Sequence, residues 1–365
     1  MLDIHATGSK ICPAVMTSDS VIRVRQVQPQ DLVTWQHFAD RMPDAGCLHH
    51  AAWYEVLRDA YWVVPHFLMA TDANADVVGI LPLYHSKSPL TGSHISSLED
   101  GVLASRADAT AALLNEARAL RDRSSAKYLQ IRGGAIDEAG PITIPTVRTF
   151  ILTSQSADQL WPAIKKKTRW AIRHAEKQGI AIERDSELRH LDAFYQVYAA
   201  HQRELGTPVM GLDAFRSLKN RLGLDRLRLY LVRYEDRLVG GMLCIINTAR
   251  WTDYYALVRP IKGIQFANYL LYWHVIRDAS NSGVPRFDMG RSTPGSNVHL
   301  FKRKWGGLDL EVPYYFYPRP GVRVGDVGLQ SLKKGRGLPQ HVWSMLPLPL
   351  CNRLGPLLRK QLPFI

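Results

Sequence analysis

The 365-residue sequence predicts an α/β (α+β) chain built from two consecutive units, each a mixed sheet covered by helices. Three observations support this. A hairpin pattern occurs twice: His66 to Ala70, a turn at Asp72-Ala73-Asn74 and Val77 to Leu81, then Arg228 to Val232, a turn at Glu235-Asp236 and Leu238 to Met242. In both halves a helix-like segment precedes a strand, 108–122 before Tyr128 to Ile131 and 267–281 before Arg286 to Met289. The spacing from Gly79 to Leu129 is close to that from Gly240 to Phe287, so related units follow one another.

Taken in order, residues 1–20 lack periodicity and read as a loose tail, and 21–149 form the first unit. The second unit, 150–317, begins with a helix that places Ile164, Thr168, Ala171, Ile172 and Ala175 on one face. Lys165, Lys166, Arg169, Arg173 and Lys177 point outward. Leu227, Leu229 and Leu231 alternate with Arg226, Arg228 and Tyr230, the pattern of a half-buried strand. A later strand is expected to break at Gly290. Residues 318–365, rich in Pro, Gly and basic side chains, form a C-terminal extension.

Composition narrows the function classes. A formal net charge of +13 and a 46% hydrophobic content describe a globular chain whose partners are anionic. Pro, Gly or charge interrupts every apolar run before membrane-spanning length, and the N-terminus lacks the hydrophobic core of an export signal, so a cytoplasmic protein is expected. Cys12, Cys47, Cys244 and Cys351 are scattered without metal-ligand spacing and read as reduced thiols. Neighbouring His49 and His50 point about 100° apart on a helix and do not chelate together. No metal site is expected.

The most constrained stretch is FDMGRSTPGSNVHLFKRKWGG, residues 287–307. A strand opens into a polar, glycine-marked loop where backbone N–H groups, Ser292 and Thr293 face a ligand beside the fixed charges of Arg291 and Lys302. Such a loop suits an anionic or oxyanionic partner.

The GRS after a strand, the following Gly-Ser and FK-x-x-WG resemble the C-terminal signature of FemAB-like proteins, especially the branch associated with exosortase and exopolysaccharide systems. His49 with Trp53, Val78 to Leu83, the basic helix with Lys167, Arg169 and Arg173, and Leu205-Gly206-Thr207-Pro208 fall in the same order. The resemblance spans roughly residues 21 to 318 and implies two tandem GNAT-type acyltransferase domains. It further implies N-acyl transfer to an amine of a cell-envelope or exopolysaccharide precursor, such as a nucleotide- or lipid-linked intermediate. Peptidoglycan chemistry belongs to the same expectation. The implied donor is aminoacyl-tRNA, with acyl-CoA as the alternative and no tightly bound cofactor. A noncatalytic RNA- or polymer-binding protein on the same scaffold is the rival.

The motif match assigns oxyanion stabilisation to Lys302, with Phe301 beside it and Trp305 closing the motif. Lys302 is expected on the surface. Asp288, at the strand end, is expected to orient Arg291 or to accept the amine proton, and Asp100 is a second base candidate. The loop from Arg259 to Asn268 opens a helix whose free N–H groups suit a phosphate, although the glycine spacing of an acyl-CoA pyrophosphate cradle is incomplete. Lys167, Arg169 and Arg173 are expected to border an interdomain cleft. Tyr254 and Tyr255 are expected to face opposite sides of their strand, one packed and one reaching the acceptor.

In the extension, Lys333, Lys334, Arg336, Arg353, Arg359 and Lys360 accompany Val342, Trp343, Met345 and several leucines, while Pro347, Pro349 and Pro356 forbid one long helix. Short amphipathic pieces follow from this, serving either peripheral contact with the inner membrane face or burial against the first unit.

Overall fold

The computed structural model describes residues 21–88, 92–134, 136, 142–322 and 337–359. The expected tail 1–20, Cys12, and Lys333, Lys334, Arg336 and Lys360 lie outside these residues. Both hairpins form as antiparallel pairs, Leu68–Thr71 with Val77–Leu81 and Leu227–Tyr234 with Arg237–Ile246. The two helices fall at Ala107–Arg123 and Ala267–Asn281, each followed by its strand.

The first unit contains two sheets. The strands Arg23–Gln26, Leu68–Thr71, Val77–Leu81 and Leu103–Ala104 make a four-stranded sheet. Pro82 brings no N–H to continue the ladder, and the chain passes at Leu83–Ser88 into a six-stranded sheet. The second unit is one seven-stranded sheet. Val147–Leu152 and Leu308–Glu311 lie at one end of it, whereas Tyr314–Pro318 pairs with Tyr128–Arg132 in the first unit. The chain therefore joins the second sheet at Val147 and returns to the first unit at Tyr314, so the units are stitched together rather than merely linked.

Burial joins them as well. One hydrophobic core runs from Trp35, Trp53 and Phe67 of the first unit to Phe194, Phe215 and Leu243 of the second. The strand Leu227–Tyr234 stands between two cores: Leu227, Leu229 and Leu231 face this shared one, while Tyr230 and Val232 face a second built on Leu271, Ile276 and Trp251. The strand is thus buried on both faces at its centre, not half-buried as its alternation suggests. A tyrosine supplies the second apolar face, and its hydroxyl donates to Asp278 (2.9 Å). The extension forms helices Gly337–Met345 and Leu348–Arg359, and both make their main contacts with Leu191–Glu204 of the second unit, while Leu348 packs on the core that the units share.

Both halves contain one parallel strand pair, and each pair is short. Gly92–Ser97 meets Tyr128–Arg132 only at Ile95–Leu129 and Ser96–Gln130. Trp251–Val258 meets Arg286–Ser292 only at Trp251–Phe287 and Thr252–Asp288. In the second unit the strands separate beyond these residues and open a cavity.

The fold also buries neutral histidines. His49 (2% exposed) and His94 (0%) are both pushed down to about 4 by burial. Between that value and the ordinary 6.5 the unfolded chain binds the extra protons, so stability is complete above pH 6.5 and falls as pH drops towards 4. The urea midpoint should decline from pH 7 to pH 5. A midpoint constant over that interval would contradict this burial.

Candidate functional site

A cavity of about 380 Å³ occupies the separation between Trp251–Val258 and Arg286–Ser292. Asp253, Tyr254, Tyr255 and Ala256 line one side and Met289, Gly290 and Arg291 the other. Cys47, Trp53, Tyr61, Glu99 and Arg132 of the first unit close it. Tyr254 and Tyr255 both face the cavity, contrary to the expected alternation. A bulge explains it: Leu243 pairs with Tyr255 and Cys244 with Asp253, leaving Tyr254 as an extra residue. Their ring centroids lie 4.4 Å apart.

Lys302 reaches this cavity from the short helix Asn297–Arg303, which Ser296 caps by accepting from the His299 N–H (3.2 Å). It is not a surface lysine, being 5% exposed, and its Nζ donates to the Gly290 carbonyl (2.9 Å) and the Arg291 carbonyl (2.8 Å). Gly290 holds φ +71°, a left-handed conformation that a side chain resists and that aims its carbonyl at the amine. The strand continues through this glycine to Ser292 instead of stopping there. Burial lowers the Lys302 pKa to about 8, an effect that Asp253 and Asp288 partly offset. An ammonium carries three donors, so one N–H remains beyond the two carbonyls.

Asp253 is the acidic partner that the sequence reading missed. Burial raises it to about 6 against the lowering effect of the Tyr272 hydroxyl, which donates to its Oδ2 at 2.5 Å. A carboxylate inside the aromatic strand Trp251–Val258 goes against strand preference, and that was the available signal. The cavity thus combines a carboxylate poised near 6 with an amine near 8. Arg132, Arg148, Arg291 and Arg359 also line it.

Asp288 does not face the cavity or touch Arg291. It is fully buried in a quartet with Asp100, Arg148 and Arg250: Asp100 meets Arg148 at 2.5 Å and Arg250 at 2.6 Å, and Asp288 meets them at 3.3 and 3.8 Å. Burial raises the Asp100 pKa, but Arg250 and Arg148 outweigh it and hold the carboxyl below the usual range. Neither aspartate is therefore placed as a proton acceptor. Asp288 acts locally, its Oδ1 accepting from the Gly290 N–H (2.8 Å). Arg291 instead pairs across the units with Glu99 at 2.7 Å.

The remaining candidates lie elsewhere. Lys167 and Arg173 are exposed and Arg169 half-buried on the helix Lys166–Lys177, which packs on Ala267–Asn281 and contributes nothing to the cavity wall. Arg173 lies over Trp161 (5.3 Å). Arg259 pairs with Glu204 (2.5 Å), and Asn268 is exposed. In the phosphate-cradle loop, the Gln178 side chain already accepts from the Gln265 N–H (3.0 Å) and lies 3.4 Å from the Gly263 carbonyl. Those loop groups are engaged within the chain. Ser292 is buried outside the lining and Thr293 is exposed. Phe301 and Trp305 clasp Tyr269 and Tyr272, fixing the lysine helix against Ala267–Asn281 without lining the cavity.

Residues 163–303 match the acetyltransferase (GNAT) domain family. None of the curated proteins matches this sequence. Among solved structures, FemX is 14% identical with a TM-score of 0.62, covering 81% of this chain and 97% of its own. A tandem GNAT protein from the clavulanic acid biosynthesis pathway is 13% identical, TM-score 0.52, covering 83% and 100%. The C-terminal domain of a putative lysylphosphatidylglycerol synthetase from Agrobacterium fabrum is 9% identical, TM-score 0.54, covering 80% and 92%. The fold is that of tandem GNAT domains.

Asp100→Asn leaves two buried guanidiniums sharing one carboxylate. Removing one partner of a buried ion cluster costs about 3–5 kcal/mol. Urea unfolding should show a loss of that order; a loss below about 1 kcal/mol, as for a surface pair, would mean that the quartet is solvated.

Proposed function

We propose that this protein is a Fem-like N-acyltransferase that transfers an aminoacyl group to an amine of a cell-envelope or exopolysaccharide precursor. The observation that carries the reading is that Asp253 and Lys302 line one electropositive cavity. The acceptor ammonium yields a proton to Asp253, and the freed amine attacks the acyl carbonyl of the donor. The new C–N bond drives the carbonyl electrons onto oxygen, where the remaining N–H of Lys302 stabilises the oxyanion. Collapse expels the alkoxide of an ester donor, which takes up the second proton that the attacking nitrogen loses on becoming an amide. Tyr254 and Tyr255 flank the acceptor, and Arg132 and Arg359 neutralise its anionic part.

Aminoacyl-tRNA is favoured as donor because Gln178 engages the loop where an acyl-CoA pyrophosphate would rest. The match of residues 163–303 to an acetyltransferase domain favours the second reading, transfer from acyl-CoA with a thiol leaving group. Incubation with labelled aminoacyl-tRNA and an amine-bearing nucleotide-linked peptide should transfer label to the peptide. Label arriving only from acetyl-CoA would move the assignment to the second reading, and transfer from neither would overturn both.

Activity needs Asp253 ionised and Lys302 charged, so the rate should rise through about pH 6 and fall above about pH 8. Asp253→Asn should lose the acidic limb. Lys302→Met should lower turnover by about 10²-fold or more. It should also destabilise the fold by roughly 1–3 kcal/mol, because two carbonyls lose their donor. Turnover of folded Lys302→Met within threefold of the wild type would remove this lysine from the mechanism.

A further inference from the structure

The two C-terminal helices carry an apolar face that the fold leaves outward. In an amphipathic helix packed on a globular body, the large apolar side chains face the core. Here only part of the apolar set does so. Cys351 and Gly355 face inward, Gly355 with room for no Cβ beyond 3.2 Å from the Val209 carbonyl, while Leu350 (40%), Leu354 (36%), Leu357 (52%) and Leu358 (37%) are exposed. Val342 (52%) and Met345 (71%) of the preceding helix are exposed as well. The packing is well defined: Trp343 and Cys351 are buried, the Arg203 guanidinium donates to the Leu346 carbonyl (3.2 Å), and Asn352 donates to Gln196 (3.2 Å). Trp343, Leu348, Cys351 and Gly355 hold the helices in place, and the exposed leucines with Val342 and Met345 stay outward.

Charge identifies what that is. Residues 318–365 contain eight Lys and Arg and a single Asp, Asp326, in a chain of net charge +13. Exposed Arg353 lies on the same helix as the leucines. Apolar side chains mixed with cations match the interfacial region of an anionic bilayer, where leucines enter the acyl boundary and cations meet headgroups. No described helix is long and apolar enough to cross a membrane.

We infer that helices Gly337–Met345 and Leu348–Arg359 dock this protein on an anionic lipid surface. Arg359, at the end of the second helix, lines the cavity, so docking brings the cavity wall near the headgroup layer. Resting on the acyl-transfer reading above, this makes the acceptor an amine carried at that surface; the docking itself stands apart from any activity.

Sedimentation of the full chain with phosphatidylglycerol vesicles and with phosphatidylcholine vesicles tests it. Association should favour phosphatidylglycerol, weaken at high salt, and fall at least tenfold in Leu354→Glu/Leu357→Glu with an unchanged melting temperature. Arg353→Gln should weaken binding to phosphatidylglycerol only. Equal binding by wild type and the leucine variant would overturn the proposal, leaving only the overall positive field. No binding, together with a dimer that the leucine variant dissociates, would assign the face to a second copy. No binding with a lowered melting temperature would assign it to another segment of this chain; either result overturns lipid docking.

Discussion

The buried quartet of Asp100, Arg148, Arg250 and Asp288 is the interaction on which the site depends. Two carboxylates and two guanidiniums, all under a tenth exposed, compensate one another where the units meet. Charges so placed are costly unless paired, which fixes their geometry and with it the relation of the two sheets. The fixing is transmitted in short steps. Asp288 holds the Gly290 N–H, Gly290 turns its carbonyl towards Lys302, and the Arg291 carbonyl completes the seat of the amine. A close approach on the first unit serves the same end: a Cβ at Gly46 would fall within 2.0 Å of Asp100 and Arg250 atoms.

The internal duplication gives this centre its position. Each unit contains one short parallel strand pair, and the segments that follow the first unit's pair, Glu99 to Ala104 and Gly133-Gly134, line a second cavity of about 390 Å³. Glu99 and Arg148 belong to the walls of both cavities. The two differ chemically because the quartet answers the charge at the second cavity, where Asp100 and Arg250 pair with each other. At the first, Lys302 and Asp253 both face an open space. Ion pairing therefore stabilises one side of the wall and leaves reactive groups on the other.

Much of the architecture was legible in local pattern. The hairpins, the helices at 107–123 and 267–281, the tandem arrangement and the buried face of the 166–177 helix follow from periodicity and turn chemistry. What escaped depends on contacts distant in sequence. A bulge set by the partner strand placed Tyr254 and Tyr255 together. Lys302 looks like a surface lysine beside Arg303 and Lys304 until the helix Asn297–Arg303 is set against Gly290. Asp288 and Asp100 resemble loop-end aspartates, and their burial becomes visible only when Arg148 and Arg250 arrive from elsewhere. Arg359 reaches the cavity through the packing of a helix that sequence alone could assign to a membrane or to the first unit.

Everything proposed for the cavity depends on Lys302 being a desolvated amine seated on two carbonyls. Nitrogen-15 NMR of the lysine side-chain amines, with the Lys302 signal assigned by its loss in Lys302→Met, measures this directly. One amine should titrate near 8. A Lys302 signal that titrates with the other lysines near the ordinary value of about 10.4 would contradict it.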